Sequence, residues 1–105
     1  MAVHLERDLK QLKDDILMLG SRVETAITQS IKSLVERRAD LADEVVENDQ
    51  QIDTGEVKIE EDCLKILALH QPVARDLRFI VTVLKVNDEL ERMGDQAANI
   101  ALRSK

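Results

Sequence analysis

A chain of 105 residues with 44% hydrophobic side chains has enough apolar content for a packed core, and its length suits one domain or one repeat of something larger. A net charge of −6 and a lone aromatic, Phe79, exclude the basic, ring-bearing surface that nucleic acid requires, and no run approaches the roughly 20 apolar residues of a membrane span. Three Gly and one Pro leave few turn signals, so the expected fold class is all-α with few, long helices.

The first helix is expected over about residues 3–38. Leu5, Leu9, Leu12, Ile16, Leu19, Val23 and Ala26 step by four and three into one apolar seam, which Ile27, Ile31 and Leu34 widen. Gly20, mid-helix, reads as a point where a neighbour approaches closely, with a small kink as the other reading. Arg37 and Arg38 suit a helix C-terminus, and Asp40 is a good N-cap for the next helix. That second helix is expected over about residues 41–70. Its seam is Leu41, Val45, Asn48, Ile52, Gly55, Ile59, Cys63, Ile66 and His70, in which Asn48 and Gly55 are irregular members. Cys63, alone in the chain, forms no internal disulfide and reads as a buried thiol. Pro72 cannot continue a helix but suits the first turn of a new one, so the third helix is expected over about residues 72–104. Phe79, Val83, Val86, Leu90, Met93, Ala97 and Ile100 form its seam. Helices of about 45–50 Å with short connections run antiparallel. The expected architecture is one elongated antiparallel three-helix bundle over residues 1–105. The N-terminus, MAVHLERDLK, is charged where a signal peptide needs an apolar run, so a soluble cytoplasmic protein is the default.

Two acidic pairs interrupt this pattern. Asp49 and Asp53 stand four residues apart, as do Glu91 and Asp95. Like charges at that spacing cost a helix roughly 0.2–0.5 kcal/mol per pair. At about 100° per residue, Asp49, Asp53, Glu56 and Glu60 lie to one side of the second seam. Glu91 and Asp95 lie to the same-signed side of the third, on a flank that changes from Leu77, Ile80 and Leu84 to Asp88, Glu91, Asp95 and Asn99. Folding the two helices back about Pro72 sets Asp53 level with Glu91 and Asp49 level with Asp95. The offsets either both turn into the shared groove or both turn away, because the sequence does not reveal the handedness of the bundle. An acidic ridge is most often a solvated face. The alternative is a cation site whose ligands are all oxygens, which favours hard ions such as Mg²⁺, Ca²⁺, Mn²⁺ or Fe³⁺. The Glu-x-x-His pairs of di-iron bundles are missing, since neither His4 nor His70 follows a Glu by three residues.

The remaining candidates are weaker. His70 reads as helix-end packing. Asp76 is expected to complement a helix N-terminus, Arg75 and Arg78 to pair with acidic neighbours, with an anion site there as the other reading, and Arg92 and Arg78 suit a partner or an internal salt bridge. Ser21, Ser30 and Ser33 read as ordinary helix residues. There is no glycine-rich phosphate loop and no nucleophile–base spacing, so no catalytic residues are assigned.

QPVARDLRFI (71–80) followed by NDELERMGDQAANIA (87–101) closely resembles the signature of the PhoU family, the bacterial phosphate-uptake regulators, and IDTGEVKIEEDCLKIL fits that family's second helix. The resemblance implies an all-helical cytoplasmic protein built of three-helix repeats, usually two per chain. It implies a negative regulator of phosphate uptake and phosphate-starvation signalling, with a phosphate ABC transporter ATPase and a sensor histidine kinase as partners. It also implies metal clusters (Fe, Mg, Mn or Ca) on Glu/Asp-x-x-x-Asp motifs, which map here onto Asp49, Asp53, Glu91 and Asp95. The main departure is length, since one repeat stands where two are usual. The chain reads either as the first half of a longer protein, toward which a third helix running to Lys105 leans, or as a short member that forms a homodimer.

The function expected is therefore a non-enzymatic, metal-binding signalling adaptor. The rivals are a purely structural helical-bundle or coiled-coil assembly module without metal and, more weakly, a metal-dependent hydrolase.

Overall fold

Three stretches of helical apolar period, none with an internal proline, wind into three α-helices. The computed structural model describes residues 2–105, with α1 at Ala2–Val35, α2 at Ala39–His70 and α3 at Ala74–Ser104. Each helix packs against both others in up-down-up order, and the bundle is a rod with extents of 53 × 17 × 15 Å. The elongated all-α bundle expected from the sequence is what forms. Among the described residues, no helix is long and apolar enough to cross a membrane.

The helix ends differ from expectation. α1 stops at Val35 rather than Arg38, because Arg37 takes a left-handed conformation (φ 54°) and the Arg38 N–H turns back to the Ser33 carbonyl at 2.9 Å. Arg38, not Asp40, is the N-cap of α2, and no side chain caps that end. Asp40 lies inside the first turn, its carboxylate 2.6 Å from the Arg38 guanidinium. Pro72 is not in the first turn of α3 either. Gln71 closes α2 in the left-handed region, donating its N–H to the Leu67 carbonyl, and extended Val73 is the N-cap before Ala74.

The core is one continuous column. Leu12, Leu19, Val23 and Ala26 of α1 meet Val45, Ile52, Ile59, Cys63 and Ile66 of α2 and Ile80, Val83 and Ala97 of α3. Towards the α1–α2 turn the side chains shrink to Ser30, Ser33, Ala42 and Ala101, all buried. The buried row of α1 passes here through Ser30 and Ser33, so Ile31 and Leu34, expected on the seam, each lie one position off it and are exposed. The buried hydroxyls stay satisfied, Ser30 donating to the Ile27 carbonyl at 2.8 Å and Ser33 to the Ser30 carbonyl at 2.7 Å. Gly20 corrects a second expectation, since a Cβ there would meet nothing within 4 Å and no neighbour approaches closely. At the other end, His70 Nε2 lies 3.1 Å from Asp8 Oδ2 and ties the end of α2 to the start of α1, as helix-end packing. Cys63 is fully buried, as expected.

The seam of α3 is rotated from the expected one. The buried row is Ile80, Val83, Asn87, Gly94, Ala97 and Ala101, while Val86 and Met93 are exposed. On α2, Asn48 is exposed and Glu56 takes an inward position. Both rotations carry acidic residues toward the α2/α3 groove.

Candidate metal centre

The site begins with a row of α2 residues at seven-residue spacing: Ala42, Asp49, Glu56, Cys63 and His70. Such spacing stays on one face along a packed helix, so Asp49 and Glu56 stand at core-facing positions. What admits them is the opposing helix. α3 presents Gly94 and Asn87 there, where an apolar side chain would otherwise fill the contact. Gly94 is buried, and a Cβ on it would meet Ile52 Cγ2 at 3.3 Å and Asp49 Oδ1 at 4.0 Å. The bare backbone thus lets α3 lie close to α2 at the height of Asp49. Seven residues earlier, Asn87 Nδ2 donates to the backbone carbonyl oxygen of Glu56 at 3.0 Å, which fixes the register of the two helices. Asn87 Oδ1 is buried without a partner.

Three of the four sequence-predicted residues come together. Carboxylate oxygens of Asp49, Asp53 and Asp95 all lie within 4.8 Å of one another. The offsets therefore turn into the groove, which the sequence had left open. Glu91 lies outside that mutual distance. Its carboxyl acts on that of Glu56 and raises it, beside the trio and within range of the Asp53 charge. Glu56 belongs to the acidic ridge, but its burial was not legible because the α3 seam passes through Asn87 and Gly94, which carry no apolar signal.

Electrostatics mark the groove as unbalanced. Asp49 and Asp53 are both held above the usual carboxylate range, chiefly by partial burial and then by neighbouring charge, Asp53 and Asp95 acting on Asp49, and Asp95 and Glu91 on Asp53. Glu56, only 8% exposed, is pushed up to about 8 by burial, then by the Glu91 carboxyl, and by the charges of Asp53 and Asp95. Among the described residues, the ion pairs engage Asp8, Asp15, Asp40, Asp43, Asp62 and Glu89, and none of the groove acids has such a partner.

The donor set fits a hard cation. Oxygens bound to one Ca²⁺ at about 2.3–2.6 Å lie no more than about 5 Å apart, and those on Mg²⁺ lie closer. The Asp49–Asp53–Asp95 trio meets the wider limit. Asp53 and Asp95 are exposed and Asp49 half-buried, so water would complete the shell. The arrangement contains no nucleophile–base pair. Cys63 is no rival ligand, being walled off in the core with its thiol pushed up to about 11 by burial and nearby acids. Arg92 pairs with Glu89 at 3.3 Å on the surface.

Comparison with known proteins bears on both the motif and the fold. Residues 16–104 match the PhoU domain model. The chain belongs to the PhoU family. It is 40% identical over 100 residues to a phosphate-specific transport system accessory protein PhoU homolog of Aquifex aeolicus, covering 95% of this chain and 45% of that one. The homolog from Deinococcus radiodurans is 41% identical over 97 residues, covering 92% and 46%. The crystal structure of the phosphate transport system regulatory protein PhoU from Streptococcus pneumoniae superposes with a TM-score of 0.85 at 33% identity, over 95% of this chain and 47% of that chain. This PhoU-type chain thus spans about half the length of the relatives it matches.

Proposed function

We propose that this PhoU-type bundle is a regulatory unit of a phosphate transport system that binds hard metal ions between α2 and α3. The convergence of Asp49, Asp53 and Asp95 within 4.8 Å carries the metal part of the reading. The names of its relatives, accessory and regulatory proteins of phosphate transport, support the rest. Asp49, Asp53 and Asp95 would hold the ion, with Glu91 on its lower edge. The cation would neutralise crowded charge, clamp α2 to α3 and set the charge of the surface presented to partners. In this reading the chain is a cytoplasmic adaptor between the phosphate ABC transporter ATPase and a sensor histidine kinase, damping starvation signalling when phosphate is plentiful. It functions as a homodimer or as half of a two-unit body, and it has no reaction of its own.

Titration calorimetry with Mg²⁺, Mn²⁺ and Fe³⁺ tests the metal reading. Saturable binding should raise thermal stability, because a ligand bound only by the native state must stabilise it. Absence of heat and of stabilisation would favour a metal-free assembly module. That rival draws on the exposed Leu17, Met18 and Ile31 of α1. Co-purification with the cognate ATPase and kinase tests the adaptor role.

A further inference from the structure

The α2/α3 groove changes character along its length. Above the level of Glu56 it is acidic. Below that level, toward the Pro72 turn, Val57 and Leu64 of α2 and Leu77 and Val81 of α3 are exposed, with Leu67 and Leu84 half-buried between them and Glu60 the one acid in this stretch of the groove. The rows facing this groove are those of Asp53 and Asp95, which converge across it, of Glu91, whose charge acts on Asp53 and Glu56, and of Asp43, which pairs with Lys105 at the end of α3. On α2 they are every seventh residue from Val46 and from Asp43, and on α3 every seventh from Leu77 and from Val81. Between Asp43 and Leu67 and between Leu77 and Leu102, none of these positions is Lys or Arg, in a chain with 15 basic residues; the next position on the Leu77 row is Lys105, which pairs with Asp43 at the far end of the groove. A groove lined by aliphatic and acidic side chains, with Gln50 its one neutral polar member, and whose central carboxylates lack basic partners, is complementary to one kind of surface.

We propose that the α2/α3 groove docks a cationic amphipathic helix of a partner protein, its aliphatic face on Leu64, Leu77 and Val81 and its Lys or Arg side chains over Asp53, Glu91 and Asp95. From the level of Leu77 to that of Asp95 is about 27 Å at 1.5 Å per residue, the length of a helix of about 18 residues. Helix-in-groove recognition works this way, with aliphatic anchors at i, i+3/i+4 and i+7 supplying burial and charge supplying orientation and rate. The site rests on the adaptor reading above and assigns that adaptor its docking face. Because metal ions and partner cations would meet the same carboxylates, the two compete.

The probe is an 18-residue peptide with leucines on one face of its first half and lysines over its second, and the control is the same composition scrambled. Added to metal-free, ¹⁵N-labelled protein, the peptide should shift amides of α2 and α3 along the groove and leave α1 unmoved. Leu64→Gln with Val81→Gln, both at exposed positions (54% and 39%), should weaken the peptide by about tenfold and leave Mn²⁺ affinity unchanged. Asp53→Asn with Asp95→Asn should weaken both, and saturating Mn²⁺ should weaken the peptide. Equal binding of the scrambled control, shifts on α1, no effect of the Gln pair, or a concentration-dependent dimer that buries the groove would overturn the inference. Mn²⁺ binding without peptide binding would overturn the docking site and leave the metal reading standing. Peptide binding without Mn²⁺ binding would do the reverse.

Discussion

Asn87 of α3 reaches across to α2 and donates its side-chain amide to the backbone carbonyl oxygen of Glu56. This bond lies in the core, one helix turn from the Glu56–Glu91 carboxyl pair, and it sets how far α3 slides along α2. Replacing Asn87 with Ala removes it and opens a small void, so stability should fall by about 1–2 kcal/mol in urea unfolding. Mn²⁺ affinity should also fall by about tenfold, as when an outer-shell group is lost, although Asn87 is no ligand. Unchanged affinity would mean the register is held elsewhere.

Gly94 sets the distance between the helices where Asn87 sets their height. Gly94→Ala asks Ile52 to give by a few tenths of an ångström, against a helix-propensity gain of about 1 kcal/mol, so its stability should stay close to that of the parent. Gly94→Leu has no such room. It should cost about 1–3 kcal/mol and, by pushing Asp95 away from Asp49, abolish the Mn²⁺ signal in calorimetry while helical circular dichroism survives.

The pH dependence follows from Glu56. Its folded-state pKa, about 8, is raised above the ordinary value of 4.5, so the native state holds a proton that the unfolded chain releases. The associated stability is fully present below about pH 4.5 and is lost as pH rises through about 8. The raised Asp49 and Asp53 push in the same direction. Metal-free protein should therefore melt at a lower temperature at pH 8.5 than at pH 5.5, and Glu56→Gln should flatten that slope. A melting temperature that climbs with pH would contradict the assignment.

Cys63 supplies a control on the core. Fully buried, with its thiol pushed up to about 11, it should resist Ellman's reagent at pH 8 in native protein and react at once in guanidinium chloride. Fast native labelling would show that α2 opens readily.

How much of this could be read in advance depends on where each residue sits. The three helices were legible because Arg37, Arg38 and Asp40 punctuate one turn and Pro72 the other. The level pairing of the acidic ridges followed from folding back about that proline. The α3 seam was misread because Phe79, Val86, Met93 and Ile100 imitate a four-three repeat, while the true row passes through Asn87 and Gly94. The same substitutions that create the carboxylate groove erase the apolar signal marking the core, so periodicity fails where the candidate site lies. The convergence of Asp49, Asp53 and Asp95 depends on bundle handedness, which no local pattern encodes. Glu91 is set level with Asp53 by the same fold-back, but its pairing with Glu56 depends on a burial that only the packed helices create.

The central claim is that α2 and α3 bring Asp49, Asp53 and Asp95 together around a cation. Anomalous diffraction at the manganese edge, from crystals grown with Mn²⁺, tests it most directly. The account predicts a peak within bonding distance of those three carboxylates. A peak held by other residues, or none at saturating Mn²⁺, would contradict it.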